Sequence, residues 1–433
     1  MKRYIVSVLS LLIVFTPYAY SRKGDERKNS RLISAAYGVD IKHLSRVDSV
    51  IGRAIEEKTI PGAVIAVVRD DRIVYEKAYG NKSVVPDTVA MTTGTVFDLA
   101  SVSKCVGTTL SFMQLVDNGY VRLSDNVSRY IPGFKPWVDP DTGEKVEITV
   151  QDLMTHSSGL DPYINVKAFV SRYGADQPDS LMSVISRDVK RNFRPGTKFL
   201  YSCLNFITLQ HILENVTGMR LCDYAQKNVF DRLGLKHTCY NPTGETLALC
   251  APTEVQPDGK PLVGKVHDPI ARIINGGNSG NAGVFSNVED LSKIAIAIMN
   301  GGVLPTVSAI GGKGRILSEA AVKAMITIPS GNDPSVGRAL GWDVCSEHSG
   351  VKGDLFSRSL SICHTGYTGT SIVIDFETHT AVILLCHRVH PHDEGSVGRL
   401  RATVADIVAG SIVSPSRFNE INGMRTGYLK DED

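Results

Sequence analysis

Apolar residues along this chain follow two rhythms, and the switch between them outlines the fold. From His43 to Glu57 they recur at helical spacing (Leu44, Val47, Val50, Ile51, Ala54, Ile55), which predicts an amphipathic helix ended by Pro61-Gly62. Ala63–Arg69 and Arg72–Tyr79 are instead rich in Val and Ile, with Asp70-Asp71 between them, a hairpin signal. The middle returns to helical spacing. Thr149-Val150-Gln151-Asp152 reads as a capping box, and Leu204–Val216 as a helix closed by Gly218. Ser286-Asn287-Val288-Glu289 reads as a second box opening Asp290–Met299, and Ser318 starts a further helix through Met325. Strand character then comes back in Gly369–Asp375 and Ala381–Cys386, before a closing helix from Ser396 to Ile407.

Strands at both ends with helices between predict an α/β (α+β) fold of two lobes. Residues 43–100 plus 330–413 would form an antiparallel sheet lobe, and residues 101–329 a mainly helical lobe inserted into it. A small-molecule site is expected between the lobes. Residues 22–42 read as a polar leader and 414–433 as a polar tail.

The N-terminus reads as an address. Lys2-Arg3 precedes an apolar run from Tyr4 to Thr16, and Ala19-Tyr20-Ser21 offers small residues for cleavage near Ser21. The run is too short to span a membrane comfortably and no cysteine lies near the cut, so no stable membrane anchor is expected. A secreted or periplasmic protein follows. Losing Lys2 and Arg3 brings the formal net charge from +2 to zero. No basic run remains to hold a phosphate backbone, which excludes nucleic acid as a partner. Eight cysteines in a chain this long do not imply a disulfide scaffold; Cys105, Cys203 and Cys363 read as compact packing groups. No cofactor and no metal is expected, the irregular spacing of His387, His390, His392, Asp393 and Glu394 suiting loop residues better than ligands. A monomer is the default.

Chemistry concentrates at Ser101-Val102-Ser103-Lys104. Residues three apart on a helix share a face, so an amine would stand one turn above a hydroxyl at a helix start. That arrangement suits a nucleophilic serine activated by a desolvated lysine. Burial would lower the lysine's pKa and let it take the hydroxyl proton. Tyr201, after the Pro195-Gly196 turn, presents a phenol that a neighbouring ammonium would make more acidic.

Four further segments extend this motif: Asp152–Leu160, Tyr201-Ser202-Cys203, Ala282–Ser286 ahead of Asp290-Leu291, and His364-Thr365-Gly366. Together they resemble the serine β-lactamase-like superfamily, in its class C β-lactamase, D-alanyl-D-alanine carboxypeptidase and family VIII esterase branch. The resemblance spans roughly residues 60–410 and implies a β-lactamase-like fold and an acyl-enzyme serine hydrolase. It implies Ser101, Lys104, Tyr201 and His364 as the catalytic set, and the amides of Ser101 and Tyr367 as the oxyanion hole. Cys203, Thr365 and Gly366 would line the substrate, Gly366 letting the strand edge come close. His156 reads as a structural landmark, and Arg388–Pro391 likewise.

Two positions depart from the β-lactamase pattern. Cys203 stands where an asparagine is usual, and a thiol is a weak hydrogen-bond partner. Asn205, already in the following helix, is not expected to substitute. His364 stands where a lysine would meet a substrate carboxylate, and a histidine of ordinary pKa is mostly neutral at pH 7. The sequence therefore points to a small-molecule ester or D-amino-acid, peptidoglycan-like substrate, with a β-lactamase or a penicillin-binding sensor of little turnover as the alternatives. Specificity would reside in loops such as 134–147, 161–190 and 241–275.

Overall fold

A computed structural model describes residues 37–305 and 314–414. The expected cleavage segment, most of the leader and nearly all of the tail lie outside the described residues.

A six-stranded antiparallel sheet runs from Val89–Ala90 through Arg72–Ser83, Gly62–Arg69, Thr380–Cys386 and Ser371–Asp375 to Ser361–Thr365. The two ends of the chain thus meet at its centre, with Ala63 opposite Cys386 and Arg69 opposite Thr380. Central strands read as unbroken apolar runs because both faces are covered. Along Gly62–Arg69, side chains alternate between faces: Ala63, Ile65 and Val67 pack on the helices Arg46–Glu56 and Gly398–Gly410, while Val64, Ala66 and Val68 enter the core of the helical lobe. Asp70 and Asp71 both adopt positive φ (45° and 65°), as the two central residues of a tight hairpin turn of matching twist require.

Several boundaries move from their sequence-read positions, each for a local reason. The chain joins the fold by Tyr37, where the buried Arg69 guanidinium binds the Tyr37, Thr378 and Ser414 carbonyls, and Val39 pairs with Ile412. The opening helix is split at Ser45 into Ile41–Leu44, capped by Asp40, and Arg46–Glu56. The second expected capping box slips by one residue. Ser286 is a strand residue opposite Phe97, its hydroxyl held by Thr238, so Asn287 caps the helix Val288–Met299 by accepting from the Asp290 amide. The closing helix begins at Gly398 rather than Ser396. The Thr149/Asp152 box forms as read, and the helix Cys203–Thr217 ends at Gly218 with φ 68°. Not read from the sequence is a three-stranded sheet inside the helical lobe, Phe97–Asp98, Val284–Ser286 and Cys239–Tyr240. Its first strand delivers the chain to Ser101.

Candidate active site

The approach to Ser101 is held by both lobes. Ala100 adopts φ +46°, an unfavourable conformation for a residue with a Cβ, and the Asp98 carboxylate fixes it by accepting from its amide at 2.9 Å. A tight turn over Ala100–Val102 follows, then a wide π turn over Lys104–Thr109, and only then a regular helix over Leu110–Asp117. Sequence spacing predicts one continuous helix here. The tight-then-wide succession still leaves Ser101 and Lys104 facing each other.

Lys104 is fully buried, and its ammonium lies 3.0 Å from Ser101 Oγ, 2.8 Å from the Asn281 carbonyl oxygen and 3.6 Å from Cys203 Sγ. Tyr201 lies over it, ring centroid 5.1 Å from Nζ, with its hydroxyl in hydrogen-bonding reach of both Ser101 and Lys104. The electrostatics correct the sequence reading. Burial does push the lysine's pKa down, but Cys203 and Tyr201 outweigh it and the net direction is up. Burial also raises Tyr201, with Lys104 opposing only in part, and raises Cys203 in the same way. The three groups share their protons as one coupled cluster. It becomes a base by losing one shared proton.

His156 holds Tyr201 in place. Its ring lies 4.3 Å from the Tyr201 ring and 5.1 Å from that of Phe206, and its Nδ1 accepts from the Ser202 amide at 3.1 Å. Complete burial drives its pKa far below the usual range, so it is a neutral brace, as read from the sequence. Asn205 binds His156 and Ser158 instead of Lys104, and it does not replace the missing asparagine. What Asn281 supplies to Lys104 is its backbone carbonyl, at 2.8 Å, while its side-chain oxygen accepts from Ser279. Of the three cysteines read as packing groups, Cys105 and Cys363 are buried, whereas Cys203 touches Lys104.

His364 sits on the edge strand opposite Ile372, buried, with its ring centroid 6.2 Å from that of Tyr201. Burial first, then repulsion from Arg338 and Lys104, lowers its pKa to about 3. Its Nδ1 hydrogen is given to the Thr365 carbonyl at 2.9 Å, leaving Nε2 an acceptor without a protein partner among the described residues. The one N–H donor of the neutral ring is thus committed to the backbone.

The turn Gly366–Thr370 carries the Tyr367 amide. Thr368 Oγ1 and Thr370 Oγ1 donate to the Asp98 and Leu99 carbonyls, each at 2.9 Å, riveting this turn to the segment that presents Ser101. A Cβ on Gly366 would come within 2.3 Å of the Leu99 carbonyl oxygen, which is why glycine is needed there. Tyr367 itself is exposed at the rim, its ring under Arg388 and its hydroxyl donating to Asp393 at 2.7 Å. His387 and His390 each bind a backbone carbonyl through Nδ1, of Pro252 and Thr253 respectively. No metal-binding group of His, Cys, Asp or Glu occurs among the described residues.

A buried ion pair beneath the site escaped sequence reasoning. Arg338 and Asp343, both almost fully buried, meet at 2.5 Å, and the guanidinium lies under the Tyr201 ring at 5.9 Å. Burial works against the Asp343 charge, yet Arg338 above all holds its pKa below the usual range. Asp343→Ala would strand a buried cation, with an expected loss of about 3–5 kcal/mol in urea unfolding. A loss under about 1 kcal/mol would show that water already reaches the pair.

A serine, a buried lysine and a tyrosine gathered between the sheet edge and the helices mark a serine hydrolase. The Beta-lactamase family model matches residues 47–406, and the chain belongs to that family. A putative D-alanyl-D-alanine carboxypeptidase of Escherichia coli (strain K12) is 30% identical over 378 residues, covering 82% of this chain and 84% of that protein. Among solved structures, EstCE1, a hydrolase with promiscuous acyltransferase activity, superposes with a TM-score of 0.66 at 22% identity, covering 85% of this chain and 99% of that one. A class C β-lactamase gives 0.63 at 20% identity, covering 86% and 98%. At such identities these two structures speak to the fold.

Proposed function

We propose that this chain is an exported acyl-enzyme hydrolase of uncharged carboxylic esters. Ser101 is the nucleophile, and its proton passes to the Lys104–Tyr201 pair as Oγ attacks the carbonyl. The amides of Ser101 and Tyr367 take up the negative charge that develops on the carbonyl oxygen. Collapse expels the alcohol, which leaves with a proton from Tyr201. Water, giving its proton back through the same pair, then frees the acid. Thr365 and Gly366 form the edge along which the acyl group lies. Cys203 and the neutral His364 complete its surroundings.

The observation that carries this reading is the neutrality of His364. A buried group with a pKa of about 3 supplies no charge to a substrate carboxylate. Asp268, close enough to bias both Lys104 and Cys203, adds a field that repels one. Arg338 and Arg388 are each tied to an aspartate. D-alanyl peptide hydrolysis is the second reading, favoured by the carboxypeptidase relatives. Export rests on Lys2-Arg3, the apolar run and Ala19-Tyr20-Ser21, and is tested by N-terminal sequencing of the exported protein.

A chromogenic neutral ester, a fluorescent penicillin and a D-alanyl-D-alanine peptide, run side by side, test the reading. Ester turnover with slow or no penicillin labelling is expected; peptide turnover exceeding ester turnover would overturn it. His364→Lys is expected to raise penicillin acylation relative to ester acylation by about 10- to 100-fold, the scale of a regained charged hydrogen bond. A flat ratio in a folded, ester-active variant would move specificity to the flanking loops.

A further inference from the structure

The turn that carries the Tyr367 amide has a cation behind it. Arg401, in the first turn of the helix Gly398–Gly410, donates through Nη2 to the Gly366 carbonyl at 2.7 Å and the Thr370 carbonyl at 2.9 Å. Its Nε donates to the Gly369 carbonyl at 3.2 Å. The Gly366 carbonyl and the Tyr367 N–H belong to one peptide unit. A cation bonded to the oxygen draws electron density through that unit and makes the N–H a stronger donor, as hydrogen bonds in a chain strengthen one another. Arg401 enters no ion pair among the described residues, so no carboxylate quenches its field there. Burial pulls its pKa down to about 10, which leaves it cationic at neutral pH.

We propose that Arg401 is a positioning residue that polarises the Gly366–Tyr367 peptide and so strengthens the oxyanion hole. This rests on the acyl-enzyme reading above. The guanidinium touches neither substrate nor Ser101; it acts through the peptide, and it braces three carbonyls of one turn while doing so. Bracing alone needs hydrogen-bond donors. Polarisation needs the charge.

Arg401→Gln separates the two, since it keeps an amide donor and removes the charge; Arg401→Lys keeps the charge with a different shape. All three proteins are acylated with a 4-nitrophenyl ester carrying a ¹³C-labelled carbonyl, and the acyl-enzyme carbonyl stretch is read by infrared difference spectroscopy. In Arg401→Gln the band is expected to move to higher wavenumber, the mark of weaker hydrogen bonding to the carbonyl oxygen. Losing an oxyanion donor outright costs about 10²–10³ in kcat, so weakening one is expected to cost roughly 10- to 50-fold, with KM little changed. Arg401→Lys should recover part of both.

An unshifted band in Arg401→Gln overturns the proposal whatever the rate does, leaving Arg401 a brace. A rate loss that follows a lowered Tm, with KM rising and the band unmoved, has the same meaning. If Arg401→Gln does not fold, Arg401→Lys decides: a band near the wild-type position supports polarisation, and one displaced with the charge kept refutes it. A wild-type protein that forms no acyl-enzyme overturns the functional reading and this inference together. A wild-type acyl-enzyme with no shift in the variants overturns the inference alone.

Discussion

Replacing Ser101 by alanine is expected to reduce ester turnover by about 10⁴-fold or more, the scale seen when a hydrolase loses its nucleophile. Intact-mass measurement after a phosphonate should show one adduct on the wild-type chain and none on Ser101→Ala. Folding should be nearly unaffected, because the hydroxyl's neighbours are Lys104 and Tyr201, and Lys104 keeps the Asn281 carbonyl and Cys203. The experiment can therefore be read as chemistry rather than stability. An adduct that persists in Ser101→Ala would move the nucleophile to Cys203, whose sulfur lies 3.6 Å from Lys104. Cys105 is an unsuitable second suspect: it is fully buried and bound to the Gly341 carbonyl.

What could be read from the sequence is what depends on neighbours in sequence. The hairpin of Ala63–Arg69 with Arg72–Tyr79, the Thr149/Asp152 box and the Gly218 stop each use residues a few positions apart, and each forms as read. Ser101 and Lys104 were legible for the same reason. The helix through them was read as regular because periodicity reports which face is apolar, and the tight and wide turns keep that face. Ser286 misled because a strand pairing with Phe97 outranks a local cap preference.

The unread part of the site is made by residues that meet only when the sheet closes. Asn281 and Cys203 reach Lys104 from 177 and 99 positions away, and against burial it is Cys203 and Tyr201 that turn its pKa upward. Burial was foreseeable from the apolar helix around Lys104; the company it keeps there was not. Arg338 and Arg401 look like ordinary surface cations in a single sequence, since nothing local says that one will lie under Tyr201 and the other behind Gly366. His364 was legible as a departure, but its deep neutrality comes first from burial and then from the distant Arg338 and Lys104.

Under the proposed mechanism, the Lys104–Tyr201 pair yields the second large effect. Tyr201→Phe keeps the ring stacked on His156 and removes only the hydroxyl, so turnover is expected to fall by about 10²- to 10⁴-fold with little change in stability. The pH profile carries the sharper test. Burial opposes the ammonium on Lys104, but Cys203 and Tyr201 raise its pKa on balance, and burial raises Tyr201. The reactive form is the one that has lost a proton, so wild-type kcat/KM should climb with pH from about 6 to 9, with a logarithmic slope near one. Around Tyr201 stand His156, His348, His364 and Arg338; His156 and His364 are held well below neutrality and contribute no step in that window. Tyr201 raises the Lys104 pKa both by charge and by its hydrogen bond, so removing the hydroxyl lowers it. The residual activity of Tyr201→Phe should then level off at lower pH than wild type. Near-wild-type turnover would take Tyr201 out of the proton path. A wild-type profile flat from pH 6 to 9 would mean that the base is already deprotonated at neutrality, contrary to the upward shift of Lys104.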